Sequence, residues 1–158
     1  MDGPVRAYVA VGANLGDARA AVSLALDELS RLPHSRLVAR SSMYRSAPHE
    51  ASGPDFINAV AAIDTQLDPF ALLGELQRIE TAAGRLRPYR NAPRTLDLDL
   101  LLHGDRVLDT ATLTLPHPRM EQRAFVLLPL AEIAPGQVPA HRLAAVAMQP
   151  IERLAEAD

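Results

Sequence analysis

The stretch Pro93-Arg94-Thr95-Leu96-Asp97-Leu98-Asp99-Leu100-Leu101-Leu102 reads as a strand, and it completes the element order on which the fold turns. On a strand, residues i and i+2 point to one side, so Asp97 and Asp99 share a face while Leu96, Leu98, Leu100 and Leu102 fill the other. The carboxylates then stand roughly 6 to 7 Å apart at the backbone, two rises of about 3.3 Å. Like charges that close repel unless a cation or a proton lies between them, and Mg²⁺ suits a few carboxylate oxygens completed by substrate phosphates. Taken alone, alternating Leu and Asp also describes a half-exposed edge strand. The preceding segment favours the metal reading, because Arg85, Arg87, Arg90 and Arg94 crowd in front of Asp97 among Gly84, Pro88 and Pro93. The rigid fork of a guanidinium grips phosphate at two points. All 16 basic residues of the chain are arginine, so the clustering rather than the residue type carries the inference.

Upstream, Ala7 to Val11 is a β-rich run that breaks at Gly12-Ala13-Asn14-Leu15-Gly16-Asp17, and Ala18 to Leu32 then has helical spacing through Val22, Leu24, Leu26 and Leu29. Arg36 to Tyr44 predicts a strand, 48–54 a turn-rich loop, and Asp55 to Thr65 another strand. Leu67 to Ala83 predicts a second helix, opened by Asp68-Pro69, lined by Phe70, Leu72, Leu73, Leu76 and Ile79, and closed by Gly84. With the acidic strand, the order is βαββαβ, the ferredoxin-like α+β plan of an antiparallel sheet with helices packed on it. Gly104-Asp105 predicts a hairpin turn into Arg106-Val107-Leu108. The segment from Leu115 to Phe125 is a loop entering a short helix that ends near Ile133, and the tail from Pro139 to Asp158 predicts a helical extension that packs without chemistry.

With 158 residues and 48% hydrophobic content, one core and a single domain spanning 1–158 are expected. A formal net charge of -3 leaves no basic footprint for nucleic acid. The absence of cysteine excludes a thiol nucleophile, thiolate metal ligation and disulfides. The sequence shows no apolar leader and no spanning segment, so a cytoplasmic, untargeted protein with no membrane partner is expected.

Several candidate residues carry two readings. The Gly12 to Asp17 turn is either a plain strand-to-helix connection or a place where Gly12 lets a ligand approach the backbone; it has neither G-x-G-x-x-G nor a P-loop ending. Phe56 and Phe125, rare aromatics set beside Asp55, Asn58 and Arg123, either stack a flat heterocycle between them or pack in the core. His117, near Arg119 and Arg123, is a phosphate contact or a surface histidine. Gln77 and Glu80 point at a base or ribose, or lie on a solvated helix face.

The chain resembles the 6-hydroxymethyl-7,8-dihydropterin pyrophosphokinases of folate biosynthesis over residues 7 to 135. The family signature is met by Arg90-Asn91-Ala92-Pro93-Arg94-Thr95-Leu96-Asp97-Leu98-Asp99-Leu100-Leu101. Further blocks follow the family's order: Val11 to Gly16, Tyr44 to Pro48, Gly53 to Ala59, Gln77 to Glu80, Gly84 to Arg87, and Pro116-His117 through Phe125. The resemblance implies transfer of pyrophosphate from ATP to the pterin hydroxymethyl oxygen, leaving AMP, with two Mg²⁺ ions held by Asp97 and Asp99. It implies that Arg85 and Arg94 close on the phosphates with help from Arg87, forming a lid over 84–93. Gln77, Glu80, Leu100, Thr114, His117 and Arg123 fall on its nucleotide side. Gly12, Ser46, Ala47, His49, Phe56, Asn58 and Phe125 fall on its pterin side. A monomer acting on these two small molecules is expected. The chain departs from the family at Asn91, where relatives carry Trp and Tyr89 stands as a partial substitute. It departs again at His49, where leucine is common, and at Pro118, where tyrosine occurs. The alternative from another class is a ferredoxin-like module that senses nucleotide or metal without turnover; the paired carboxylates and the arginine cluster together argue against it.

Overall fold

Val5–Ala13 (β1) places Ala7, Val9, Val11 and Ala13 on one face and Tyr8 and Ala10 on the other, and it lies inside a sheet that is covered on both sides. The computed structural model describes residues 3–47, 54–84 and 96–155. Ala18–Leu29 (α1) follows, its first turn capped by the Asp17 carboxylate, which accepts the Ala20 N–H at 3.1 Å. Val22, Ala25, Leu26 and Leu29 are the buried stripe of α1, whereas Leu24 is 65% exposed and belongs to the outer face, contrary to its place in the predicted stripe.

Two short strands, Ser35–Arg40 (β2) and Tyr44–Ser46 (β3), stand where one was predicted. Both pair antiparallel with Phe56–Thr65 (β4). The break has a local cause: Ser41 N–H donates to the Val60 carbonyl and Ser41 Oγ accepts the Val60 N–H, each at 2.9 Å, so a side chain replaces one rung of the ladder. β4 is buried at every position from Ile57 to Ile63, as a strand covered on both faces must be. Pro69–Gly84 (α2) starts at a cap in which Asp68 accepts the Ala71 N–H at 2.8 Å, and it buries Leu72, Leu76 and Ile79.

Asp97–His103 (β5) closes the unit on the other side of β1. The sheet runs β5, β1, β4, then β2 and β3 in series, the ferredoxin-like order expected from the sequence. β5 carries one surplus residue: Val9 pairs with Leu100 and Tyr8 with Leu102, leaving Leu101 as a bulge. The bulge shifts the alternation, so Leu96, Leu98 and Leu100 join the α1–α2 core while Leu101 and Leu102 face the opposite one, correcting the predicted side of Leu102.

Gly104 makes the turn after β5 with φ of +56°, where a Cβ would stand 2.6 Å from Val5 Cγ1. The strand beyond it does not return along β5 as predicted. Leu108–Asp109 (β6) pairs instead with Thr114–Leu115 (β7) in a separate two-stranded ribbon.

Ala124–Ile133 (α3) covers the second face with Ala124, Val126, Leu127, Pro129 and Leu130 against Tyr8, Val60, Ala62 and Leu101. The tail is only partly helical. Ala140–Ala145 (α4) ends before Pro150, and Ile151–Arg153 (β8) then pairs with β3 as a new sheet edge. The helix closes at Ala145 into a turn, and the free edge of β3 offers backbone partners that helical spacing alone does not reveal.

Candidate active site

Cross-strand pairing builds the site. Gly12 stands opposite Asp97 on β5 and opposite Asn58 on β4, and Asn58 stands opposite Tyr44 on β3, so these four form one row across the sheet. Directly opposed residues of antiparallel strands point to the same side. In the next row Asp99 and Val60 both oppose Ala10, and Phe56 opposes Ser46 at the β3 end. Asp97, Asp99, Gly12, Asn58, Ser46 and Phe56 therefore share the α3 face at one end of the sheet. Residues expected from the sequence to hold metal, Asp97 and Asp99, and some of those expected on the pterin side, Gly12, Ser46, Phe56 and Asn58, come together on this rim.

The polar parts of the rim are built in. Asn58, 4% exposed, donates from Nδ2 to Ser46 Oγ at 2.8 Å. A Cβ on Gly12 would stand 3.0 Å from Asn58 Oδ1, so at this position only glycine lets the amide sit where it does. Ala47 follows on the exposed side of β3. Asp97 is exposed and the Asp99 side chain is 47% exposed, so both present hard carboxylate oxygens at the surface. Among the described residues no group of three or more His, Asp or Glu side chains converges on a point. A metal ion on this pair would draw its other ligands from substrate and water, as Mg²⁺ in phosphate sites does.

His117 lies over β5, its backbone N–H donating to the Leu101 carbonyl at 3.0 Å. Its Nδ1 accepts the Arg119 N–H at 3.2 Å, which puts the neutral ring's proton on Nε2, 3.9 Å from Asp99 Oδ1. Burial holds the imidazole below its ordinary value; Asp99 pulls it up, while Arg123 and Arg119 push it down again. Arg123 lies with its guanidinium 5.4 Å from the Phe125 ring centroid, so the cation and the half-buried aromatic form a single unit at the start of α3. Thr114 sits half-buried on β7, beside β5.

Three nucleotide-side candidates fall differently. Glu80 is no solvated helix residue: its Oε2 accepts the Leu98 N–H at 2.8 Å and ties α2 to β5 between the two aspartates. Gln77, one turn earlier, is exposed. The Leu100 side chain is sealed in the α1–α2 core at 3% exposure, so only its backbone on the open edge of β5 can meet a ligand. His49, Arg85, Arg87, Arg90 and Arg94, and the lid expected over 84–93, lie outside the described residues apart from Gly84.

Sequence reasoning missed two supports of this rim. Glu132 on α3 accepts both the Ser42 N–H, at 2.9 Å to Oε2, and the Tyr44 hydroxyl, at 2.8 Å to Oε1, and Arg153 adds a contact at 3.4 Å. Gln149 reaches the start of α3 from the tail. Neither has a local signal, because the partners are far away in sequence. A cavity of about 760 Å³ lined by residues such as Asp17, Arg19, Arg40, Glu132 and Arg153 shares no lining residue with the rim.

The fold and this rim define a ferredoxin-like α+β protein with paired carboxylates on the same sheet face as an amide and aromatic side chains. Residues 8–135 match the family described as 7,8-dihydro-6-hydroxymethylpterin-pyrophosphokinase, and the chain belongs to that family. It is 50% identical over 156 residues to 2-amino-4-hydroxy-6-hydroxymethyldihydropteridine pyrophosphokinase of Pseudomonas aeruginosa, covering 94% of this chain and 96% of the relative. It is 47% identical to the enzyme of the same name from Haemophilus influenzae, covering 82% of each. Among solved structures it is similar to the wild-type HPPK-DHPS of Plasmodium falciparum, with a TM-score of 0.64 at 12% identity. That match covers 84% of this chain, which spans 38% of the larger one, and it bears on the fold alone.

Proposed function

We propose that this chain transfers the terminal pyrophosphate of ATP to the hydroxymethyl group of 6-hydroxymethyl-7,8-dihydropterin, giving AMP and the pterin diphosphate. The observation that carries the reading is the rim itself, where Asp97 and Asp99 share one face with the Asn58 amide and with Phe125. The hydroxymethyl oxygen attacks the β-phosphorus and its proton passes to solvent, a new P–O bond forms, the bond between the β-phosphorus and the α–β bridging oxygen breaks, and AMP leaves with that oxygen. Such a transfer asks for positioning and charge neutralisation rather than a covalent nucleophile. Asp97 and Asp99 would hold two Mg²⁺ ions, which supply neutralisation of the phosphates and a more acidic attacking hydroxyl.

The other residues bind and orient. Arg85 and Arg94, helped by Arg87, grip the phosphates; Gln77, Glu80, Thr114, His117 and Arg123, with the Leu100 backbone, serve the nucleotide. Neutral His117 presents Nε2–H beside Asp99 as a donor to phosphate oxygen. Phe56 and Phe125 stack the pterin, Asn58 hydrogen-bonds its edge, and Gly12, Ser46, Ala47 and His49 shape the wall. The protein acts as a monomer in the cytoplasm on these two small molecules. No helix among the described residues is long and apolar enough to cross a membrane. The sensing alternative is not supported, since the relatives carry enzyme names.

The test is a coupled assay for AMP with ATP, Mg²⁺ and the pterin. AMP formed only when pterin is present supports the reading; no AMP overturns it, and AMP formed equally without pterin would point to hydrolysis by water.

A further inference from the structure

The first turn of α3 presents both Arg123 and Phe125, and by its own sequence it is poorly held. Arg123 stands at the N-cap with φ of -123° and ψ of 111°, and no side chain of the cap hydrogen-bonds the helix start. An Asp or Ser there would cap the turn, but the position is occupied by a guanidinium extended over the Phe125 ring. Four residues after Phe125 comes Pro129, which has no N–H to give the Phe125 carbonyl, so this turn also lacks a ladder bond.

Gln149 supplies what is missing from 25 residues away. Its Oε1 accepts the Ala124 N–H at 2.9 Å and its Nε2 donates to the Gln122 carbonyl at 2.8 Å. One amide thus binds the peptide groups on both sides of Arg123, as a neighbouring strand would. The tail that carries it is anchored twice more: Val146 is buried in the second core, and Arg142 pairs with Glu121.

We propose that Gln149 is a positioning residue for substrate binding, fixing the backbone that aims Arg123 and Phe125 at the rim. The inference rests on the functional reading above. It gives the C-terminal segment a part in the reaction that its position outside residues 8–135 conceals.

The experiment measures pterin and MgATP-analogue affinity by titration, together with kcat and KM, for wild type, Gln149→Ala, Gln149→Glu, Phe125→Ala and the Gln149→Ala/Phe125→Ala double variant. Met148→Ala, at a side chain 95% exposed, serves as a control for disturbance of the tail. Gln149→Ala is expected to weaken pterin binding about tenfold, the scale of one or two neutral hydrogen bonds, while Met148→Ala stays at the wild-type value. Gln149→Glu keeps the acceptor for Ala124 but loses the donor and sets a carboxylate oxygen against the Gln122 carbonyl, so it holds only one side of Arg123 and is expected to lose about fivefold. In the Phe125→Ala background the Gln149→Ala loss should largely vanish, because the ring it aims is gone. A pterin affinity within twofold of wild type in either folded Gln149 variant overturns the inference, as does a loss of equal size with and without Phe125. A wild-type chain that forms no AMP overturns the functional reading, and the inference with it, which keeps the two failures apart.

Discussion

Asp97 and Asp99 stand at the open end of β5 with little of their side chains in either core, so they are separable from folding. Asp97→Asn or Asp99→Asn should remove most AMP formation while thermal unfolding stays within a few degrees of wild type, since charge rather than shape is required. Wild-type turnover by Asp97→Asn at saturating Mg²⁺ would defeat the assignment. Phe125→Ala and Phe56→Ala should each weaken pterin binding by about 1 to 3 kcal/mol, the scale of a lost base stack, and change ATP binding far less. Equal losses for both ligands would make these rings ordinary packing. At this scale the sequence was informative where period-two alternation decides the matter, as it does for Asp97 against Leu98. It was silent where a side chain turns to a distant backbone, as Glu80 does toward Leu98 and Gln149 toward Gln122.

Among the elements, Glu132 joins α3 to the start of β3, the strand that carries Ser46. Burial alone would raise this carboxyl. The bonds from Tyr44 and Ser42 and the charge of Arg153 outweigh that and hold it below its usual 4.5. A depressed folded value means stability that is present above 4.5 and lost as pH falls below it. Tyr44 is pushed up to about 12, first by burial and then by the bond to Glu132, so its share is present below 10 and lost as pH rises through about 12. Glu132→Gln sets an amide NH₂ against the Ser42 N–H and should cost about 1 to 3 kcal/mol at pH 7, and much less near pH 3, in urea unfolding followed across pH. An equal cost at both values would show that the charge plays no part. The β2–β3 break beside this junction could not be read from the pattern, because Ser41 takes the place of a backbone rung.

For the whole molecule, the decisive property is a sheet buried on both faces, with α1 and α2 on one side and α3 on the other. The βαββαβ order was legible because each helix shows its own apolar stripe and each strand is bounded by turn residues. The tail was not, because α4 covers only Ala140–Ala145 of its helical spacing and Ile151–Arg153 becomes a strand only by finding the edge of β3. Removing residues from Ile151 onward would uncover that edge, take the buried Leu154 out of the core, and leave the Met43 carbonyl without the Leu154 N–H that donates to it at 2.8 Å. We expect a loss of about 2 to 4 kcal/mol and a rise in self-association, visible in denaturant titration and light scattering. Unchanged stability would mean that β8 only lies along the sheet.

Under the proposed function, the amide of Asn58 has a consequence for which heterocycles compete. With Nδ2 donating to Ser46, the oxygen stands on the Gly12 side as an acceptor, and turning the amide over would require the Ser46 hydroxyl to become the donor. A ring that offers an amino group there would be paired, and one that offers a carbonyl would set oxygen against oxygen. Buried polar groups left unpaired in this way discriminate far more strongly than a missing methylene does. Replacing the 2-amino group of the pterin by an oxo group should therefore cost at least a hundredfold in competition for the site, and Ser46→Ala, by freeing the amide to rotate, should narrow that gap.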